Sequence, residues 1–279
     1  MPIKRRFTRQ LVDSNDDAIG EPANPQSVTG TVSVTAAGVL PVADTSIGIV
    51  RHGYMSSLDN ALGSSTKWNS VWASGNDYTG HDVAVGLLRV VSSDAADVDL
   101  PIDIDGLDNN WVQVNEVITT DGADGTTPVD GATPMRRLNR ARIKFAAINV
   151  GTITITKKIG GEVMAVIPAL TGKDNGAFYT VPLGYNCYFK RLWFLQGGGS
   201  SYATVGLFAD TDGVSRAIWV GFAEDGVALD WDFGKNVLDL SDSGDEFASA
   251  GDEIDVRAIL GAAGPARCTA RLEMLLVPA

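Results

Sequence analysis

Apolar side chains recur at every second position through much of this chain. Val83, Val85 and Leu87 alternate with Asp82, Ala84 and Gly86, and Ile153 and Ile155 alternate with Thr152, Thr154 and Thr156. Ile254, Val256 and Ala258 alternate with Glu253, Asp255 and Arg257. A period of two puts successive side chains on opposite faces of an extended strand, so that one face can be buried. Turn dipeptides punctuate the pattern at Asp121-Gly122, Asp124-Gly125, Asp130-Gly131, Gly160-Gly161, Asp212-Gly213, Asp225-Gly226 and Ser243-Gly244. Short strands cut by such turns build sandwiches and barrels. No apolar repeat of 3.6 residues is sustained, and only residues 58–62 suggest a short helix. The expected fold is mainly β, with two β-sandwich or jelly-roll-like parts and an extended N-terminal arm.

A chain of 279 residues can hold one large or two ordinary β domains. Residues 1–29 contain Pro22 and Pro25 and few large apolar groups, which leaves little to bury and predicts an extended arm. Residues 30–172 are expected to form a β-sandwich domain. The polar loop 171–176 marks a boundary, and residues 173–279 are expected to form a jelly-roll-like domain. Its strands are placed at 187–195, 203–208, 217–222, 253–260 and 268–277, the last tying the C-terminus into a sheet.

The net charge of −12 disfavours direct contact with nucleic acid, whose phosphates repel such a chain on average. The charge is unevenly placed. Lys4, Arg5, Arg6 and Arg9 crowd the N-terminus, and Arg136, Arg137, Arg140, Arg142 and Lys144 form a second basic strip. Residues 205–255 carry thirteen acids against Arg216 and Lys235. This segregation suits a partner contact, with basic residues on one chain meeting acidic loops on the next. Lys4, Arg5, Arg6, Arg9, Arg136, Arg137 and Arg140 are therefore the candidate partner-binding residues. A solvated strand face is the competing reading of the strip. No stretch approaches the ~20 apolar residues of a membrane helix. The N-terminal basic residues precede no apolar segment or cleavage site, so synthesis and assembly in the cytoplasm are expected. Cys187 and Cys268 sit in apolar, strand-like settings and read as small buried hydrophobes; a disulfide requires their strands to be neighbours.

A catalytic constellation is not written in the sequence. There is no Gly-x-Ser-x-Gly elbow and no complete phosphate loop, and Ser64-x-x-Lys67 lacks its companion motifs. His52 and His81 have no second ligand at metal spacing. Carboxylates gather in Gly-rich turns, which is turn chemistry before it is glycoside hydrolysis. Asp97, Asp99, Asp103, Asp105 and Asp108 offer hard oxygen ligands for calcium, but their spacing misses the twelve-residue calcium loop, and turn capping is the expectation. The expectation is a protein without enzymatic activity, metal or cofactor. Trp68, Trp72, Trp111, Trp193, Trp219 and Trp231 read mainly as packing residues.

Between residues 68 and 195 a series of motifs follows a fixed order. Ser92-Ser93-Asp94-Ala95-Ala96-Asp97 ends a strand. Gly106-Leu107-Asp108-Asn109-Asn110-Trp111 opens the next, followed by Thr126-Thr127-Pro128-Val129 and Gly151-Thr152-Ile153-Thr154-Ile155. This order resembles a family of β-rich virion structural proteins of tailed bacteriophages, and Trp68 and Trp72 fit the same pattern. The resemblance implies a particle-building protein. The expected role is a capsid decoration (cement) protein, homotrimeric, bound to the major capsid protein in a virion assembled in the host cytoplasm. A tail-associated or receptor-binding β module stays open as the alternative. A shell-forming major capsid protein is disfavoured because its long spine helix is not written here.

Overall fold

The computed structural model describes residues 47–55 (backbone only), 68–73, 78, 84–145, 147–197, 202–211, 214–233, 247–260 and 267–279. The chain divides into Met1–Asp44 and Thr45–Ala279, and every described residue belongs to the second unit. The expected arm 1–29 and the short helix at 58–62 lie outside the described residues. Among the described residues the protein is all β, with no helix.

In chain order the strands begin with β1 (Ile47–Met55), β2 (Asn69–Ser70), β3 (Leu88–Ser92), β4 (Pro101–Leu107), β5 (Gln113–Thr119) and β6 (Val129–Asp130). They continue with β7 (Arg137–Ile143), β8 (Ile153–Lys157), β9 (Val163–Ile167), β10 (Phe178–Thr180), β11 (Tyr185–Gly197) and β12 (Tyr202–Thr211). The last are β13 (Val214–Glu224), β14 (Leu229–Asp232), β15 (Phe247–Ala248), β16 (Glu253–Leu260) and β17 (Arg267–Pro278).

Two pairs of antiparallel sheets enclose two apolar cores. In the first, the sheet β6-β3-β8-β9 faces the sheet β5-β4-β7. Leu88, Ile153 and Ile155 from one side meet Ile102, Ile104 and Leu138 from the other, all essentially without solvent contact. The alternation of β8 explains its seat: Ile153 and Ile155 are buried, while Thr154 and Thr156 are only partly so. In the second, β1-β17-β11-β14, with β15 also on β11, faces β10-β16-β12-β13, with β2 on β16. Phe194, Leu192 and Leu272 pack there against Val205, Leu207 and Val256.

The first core draws on residues 88–167 and the second on Val71 and residues 177–276. The loop 171–176 therefore falls between the two cores. β1 and β2, although early in the chain, pair with β17 and β16 and so belong to the second pair of sheets. A small aromatic cluster lies between the cores. Tyr78 stacks on Phe178 with ring centroids 3.9 Å apart, Trp72 meets both edge-on, and Val163 and Val166 of β9 pack against them.

Cys187 and Cys268 are buried free thiols whose pKa values burial pushes up. Their strands are neighbours, but Cys187 lies opposite Leu276 and Cys268 opposite Gln196. At about 3.3 Å per residue that separates them by roughly 26 Å along the strands, far beyond disulfide reach.

The packing is tight enough to test with one methyl group. Gly106 sits at a bulge where β4 pairs with β7, and a Cβ there would collide with the Arg137 carbonyl oxygen and lie 2.7 Å from Met135 Sδ. Gly197, at the end of β11, has open space in that direction. Gly106→Ala should lower the unfolding free energy by about 1–3 kcal/mol, and Gly197→Ala should stay within about 0.5 kcal/mol of wild type. Urea denaturation followed by tryptophan fluorescence measures both.

Candidate functional site

The motif segments that distinguish the sequence meet at one corner of the first sandwich. Asp97 is buried there, and its carboxylate accepts hydrogen bonds from Ser92 Oγ (2.5 Å) and from the backbone N–H groups of Val150 (2.6 Å) and Gly151 (2.9 Å). Ser92 N–H donates to the Gly125 carbonyl (3.0 Å), and Ser93 N–H to the Thr152 carbonyl (2.9 Å). A Cβ on Gly125 would lie 2.6 Å from the carbonyl oxygens of Asp94 and Asp97, so only glycine lets these segments approach so closely. The Ser-Ser-Asp-Ala-Ala-Asp, Gly-Thr-Thr-Pro-Val and Gly-Thr-Ile-Thr-Ile segments thus join three distant parts of the chain through a carboxylate and a glycine.

The Gly-Leu-Asp-Asn-Asn-Trp segment is architectural in the same way. Asp108 caps its turn, accepting from the N–H of Asn110 (2.7 Å) and Val112 (3.0 Å). The cap holds Trp111 at φ 62°, a left-handed conformation that a bulky residue adopts at a cost of about 1–3 kcal/mol. Trp111 then reaches the second sandwich, its carbonyl accepting from Leu183 N–H (2.8 Å), while Arg136 lies over its ring at 4.2 Å.

The basic strip follows from Arg136 along β7. Arg137 is buried and its Nε lies 3.2 Å from Glu253 Oε2 on β16, which makes an ion pair between the sandwiches. Asn139, also buried, donates to the Thr180 carbonyl (2.8 Å) and accepts from Thr180 N–H (2.8 Å). Arg140 pairs with Asp105, Arg142 with Asp103 at 2.9 Å, and Lys144 lies 3.7 Å from Asp103. Arg136 and Arg137 therefore sit in an intramolecular junction, and Arg140, 44% exposed, is partnered by β4. Lys4, Arg5, Arg6 and Arg9 lie outside the described residues.

The strand pairing β4–β7 brings together acids that the sequence suggested for calcium with the basic strip. Asp103 and Asp105 share the Asn115 amide as a donor in addition to their cationic partners. Burial alone would raise the Asp103 carboxyl. Hydrogen bonds from Asn115 and Arg142, with the Lys144 and Arg142 charges, outweigh it and hold the group below its ordinary value. Among the described residues no three His, Cys, Asp or Glu side chains gather in a way that could hold a metal ion. Lys157, beneath the same region, donates to the Met135 carbonyl; burial, then the Arg137 charge, lowers its pKa to about 8 against the opposing pull of Glu162.

The junction was hard to find from sequence, since polar residues alternating along a strand normally mark its solvent face. The one available signal was Asn139 between Leu138 and Arg140, an amide that can replace a missing backbone partner.

Two measurements follow. Glu253→Gln should destabilise the protein by about 3–5 kcal/mol by leaving the Arg137 charge without its buried partner, and Arg137→Met with Glu253→Leu should recover much of the loss in urea denaturation. Because the folded pKa of Asp103 lies below the unfolded one, its stabilisation is present above the unfolded value and disappears as pH falls through the folded one. Asp103→Asn should therefore cost about 1–2 kcal/mol at pH 7, reduced by the half-exposed Arg142 partner, and the gap from wild type should close on acidification below about pH 4.

Compared with known proteins, the chain matches no family model and no curated protein sequence.

Proposed function

We propose that this chain is a non-enzymatic structural protein of a tailed-bacteriophage virion, a capsid decoration protein that clamps neighbouring capsomers. The observation that carries this reading is how the distinctive polar residues are used. Asp97 and Asp108, which belong to the segments that carry the resemblance, satisfy backbone groups of the chain itself, as Asn139 and Asn149 do, and so help to hold the two sandwiches in shape. A clamp on a shell under internal pressure needs such rigidity, because load on one contact must reach the other without the body deforming.

In this reading the partner is the major capsid protein, the assembly is a homotrimer, and the location is the virion, put together in the host cytoplasm. Lys4, Arg5, Arg6 and Arg9 tether the protein electrostatically. Nucleic acid is not contacted directly, in keeping with the net charge of −12.

One observation favours a second reading, a tail-associated or receptor-binding module. Arg191, Trp193, Arg271 and Glu273 line a shallow recess on the outer side of β11 and β17. Arg191 is bonded to Asp230 and Arg271 lies 2.7 Å from Glu273. An indole among fixed polar side chains is the chemistry that seats a sugar ring.

Copy number separates the two readings. Densitometry of purified virions should give an amount comparable to the capsid subunit, and a few copies per particle would reject decoration in favour of the tail. Deleting residues 1–29 should leave the body folded, since both cores come from residues 71–276. It should weaken retention on stripped capsids, more so at low salt, where exposed charges count most. Equal retention at low and high salt would remove the tethering role of the arm.

A further inference from the structure

Two bulky residues of the first sandwich are held in the left-handed region and aimed at solvent. Phe145 (φ 61°) is 87% exposed and Leu170 (φ 64°) is 73% exposed. Backbone strain of this kind persists only where surrounding structure enforces it. At Leu170 the enforcing group is the buried Asn149, while beside Phe145 Lys144 N–H donates to the Pro101 carbonyl and Ala147 N–H to the Lys144 carbonyl. The Asn149 amide donates to the carbonyls of Gly151 (2.6 Å) and Pro168 (2.8 Å), and its side-chain oxygen accepts from Gly172 N–H (3.1 Å). Leu170 N–H donates to the Asn149 carbonyl, and Ile143 N–H to the Gly172 carbonyl, so the two loops are tied side by side. Ile148 and Val150 are also exposed on these loops, and the exposed Lys173 stands at the rim. A fixed cluster of exposed apolar groups marks an interaction surface.

The second sandwich carries a patch of opposite charge. β13 is the edge of its sheet and, among the described residues, is paired only with β12. Phe222 is 70% exposed, and Val220 and Val227 are exposed beside it. Glu224 and Asp225 at the following turn are exposed too. An apolar edge strand is a surface that a monomer ordinarily protects.

We propose that the Phe145–Leu170 surface of one copy docks against the β13–β14 segment of the next copy, with Lys173 facing Glu224 and its neighbours. The occupant is a second copy because apolar character and complementary charge are both supplied by this chain. The two patches differ, so the contact is head-to-tail and closes a ring when the rotation between copies allows it. The inference rests on the homotrimeric part of the decoration reading and supplies its contact residues.

The test is sedimentation velocity of the full chain at micromolar concentration, without particles. Wild type should be a closed oligomer. Phe145→Asp with Leu170→Asp should be monomeric, and so should Phe222→Asp, each with a wild-type circular dichroism spectrum. Mixed in equal amounts, the two variants should form a dimer and nothing larger, because each retains one working face. Lys173→Glu should weaken assembly roughly tenfold, and adding Glu224→Lys should restore it. This charge pair keeps the test intact if an apolar variant fails to fold. A monomeric wild type, variants that assemble like wild type, or a mixture that stays monomeric would each overturn the proposal. Decoration itself would still stand or fall on copy number in the virion.

Discussion

Asn139 and Thr180 exchange two hydrogen bonds of 2.8 Å, side-chain amide to backbone, in the manner of a rung in a β-ladder. That rung lies between two separate apolar cores, where each polar group needs a partner and water is excluded. Everything around it accommodates the same demand. Arg137 meets Glu253 one step along the strand, Trp111 is held at positive φ to reach Leu183, and Gly251 lacks the side chain that would crowd the indole. The other side of β7 carries Leu138, Ala141 and Ile143 into the first core. One strand thus completes a core on one side and a polar seam on the other.

The chain's acidity has the same origin. Asp97, Asp108, Asp121 and Asp124 all accept hydrogen bonds from backbone N–H groups of their own turns or of neighbouring strands. Asp103, Asp105 and Asp130 hold cationic side chains across strand pairs. Hydrogen bonds from Arg89 and Lys158 lower the Asp130 carboxyl to about 2. These carboxylates are parts of the fold: among the described residues, which hold no helix, they close turns and cross-strand pairs. Glu224, exposed at the end of β13, has no such duty among the described residues.

Period-two alternation made the all-β class legible and located several strands closely. Residues 253–260 and 268–277 were placed within a residue of β16 and β17. Residues 82–87 were less faithful: among 84–87 only Gly86 makes a bridge, and the strand proper starts at Leu88, because the pairing with β8 and not the local pattern decides where the ladder begins. Pairing partners were not legible, since β1 on β17 and β2 on β16 depend on contacts across two hundred or so intervening residues. β4 was hidden by its acids, whose partners lie on β5 and β7. The basic strip was legible as charge but not in its use, because periodicity cannot tell a face turned to water from one turned to a second sandwich.

A polar junction also determines how the two sandwiches can serve a common task. Apolar contact is non-directional and tolerates sliding, whereas hydrogen bonds and ion pairs weaken steeply once their angles and distances change. Asn139 with Thr180, Arg137 with Glu253 and Leu183 with Trp111 are three such directional ties at different heights along the seam. The aromatic cluster of Trp72, Tyr78 and Phe178 fills the space beside them. Together they tie the two bodies through residues of β7, β10 and β16 and through the turns at Trp111 and Leu183. Surfaces carried on separate sandwiches, the Phe145–Leu170 loops on one and β13 on the other, are then held at a constant angle. A contact repeated between copies at a fixed angle closes into a ring only when that angle matches the ring's rotation, and otherwise runs on as a filament.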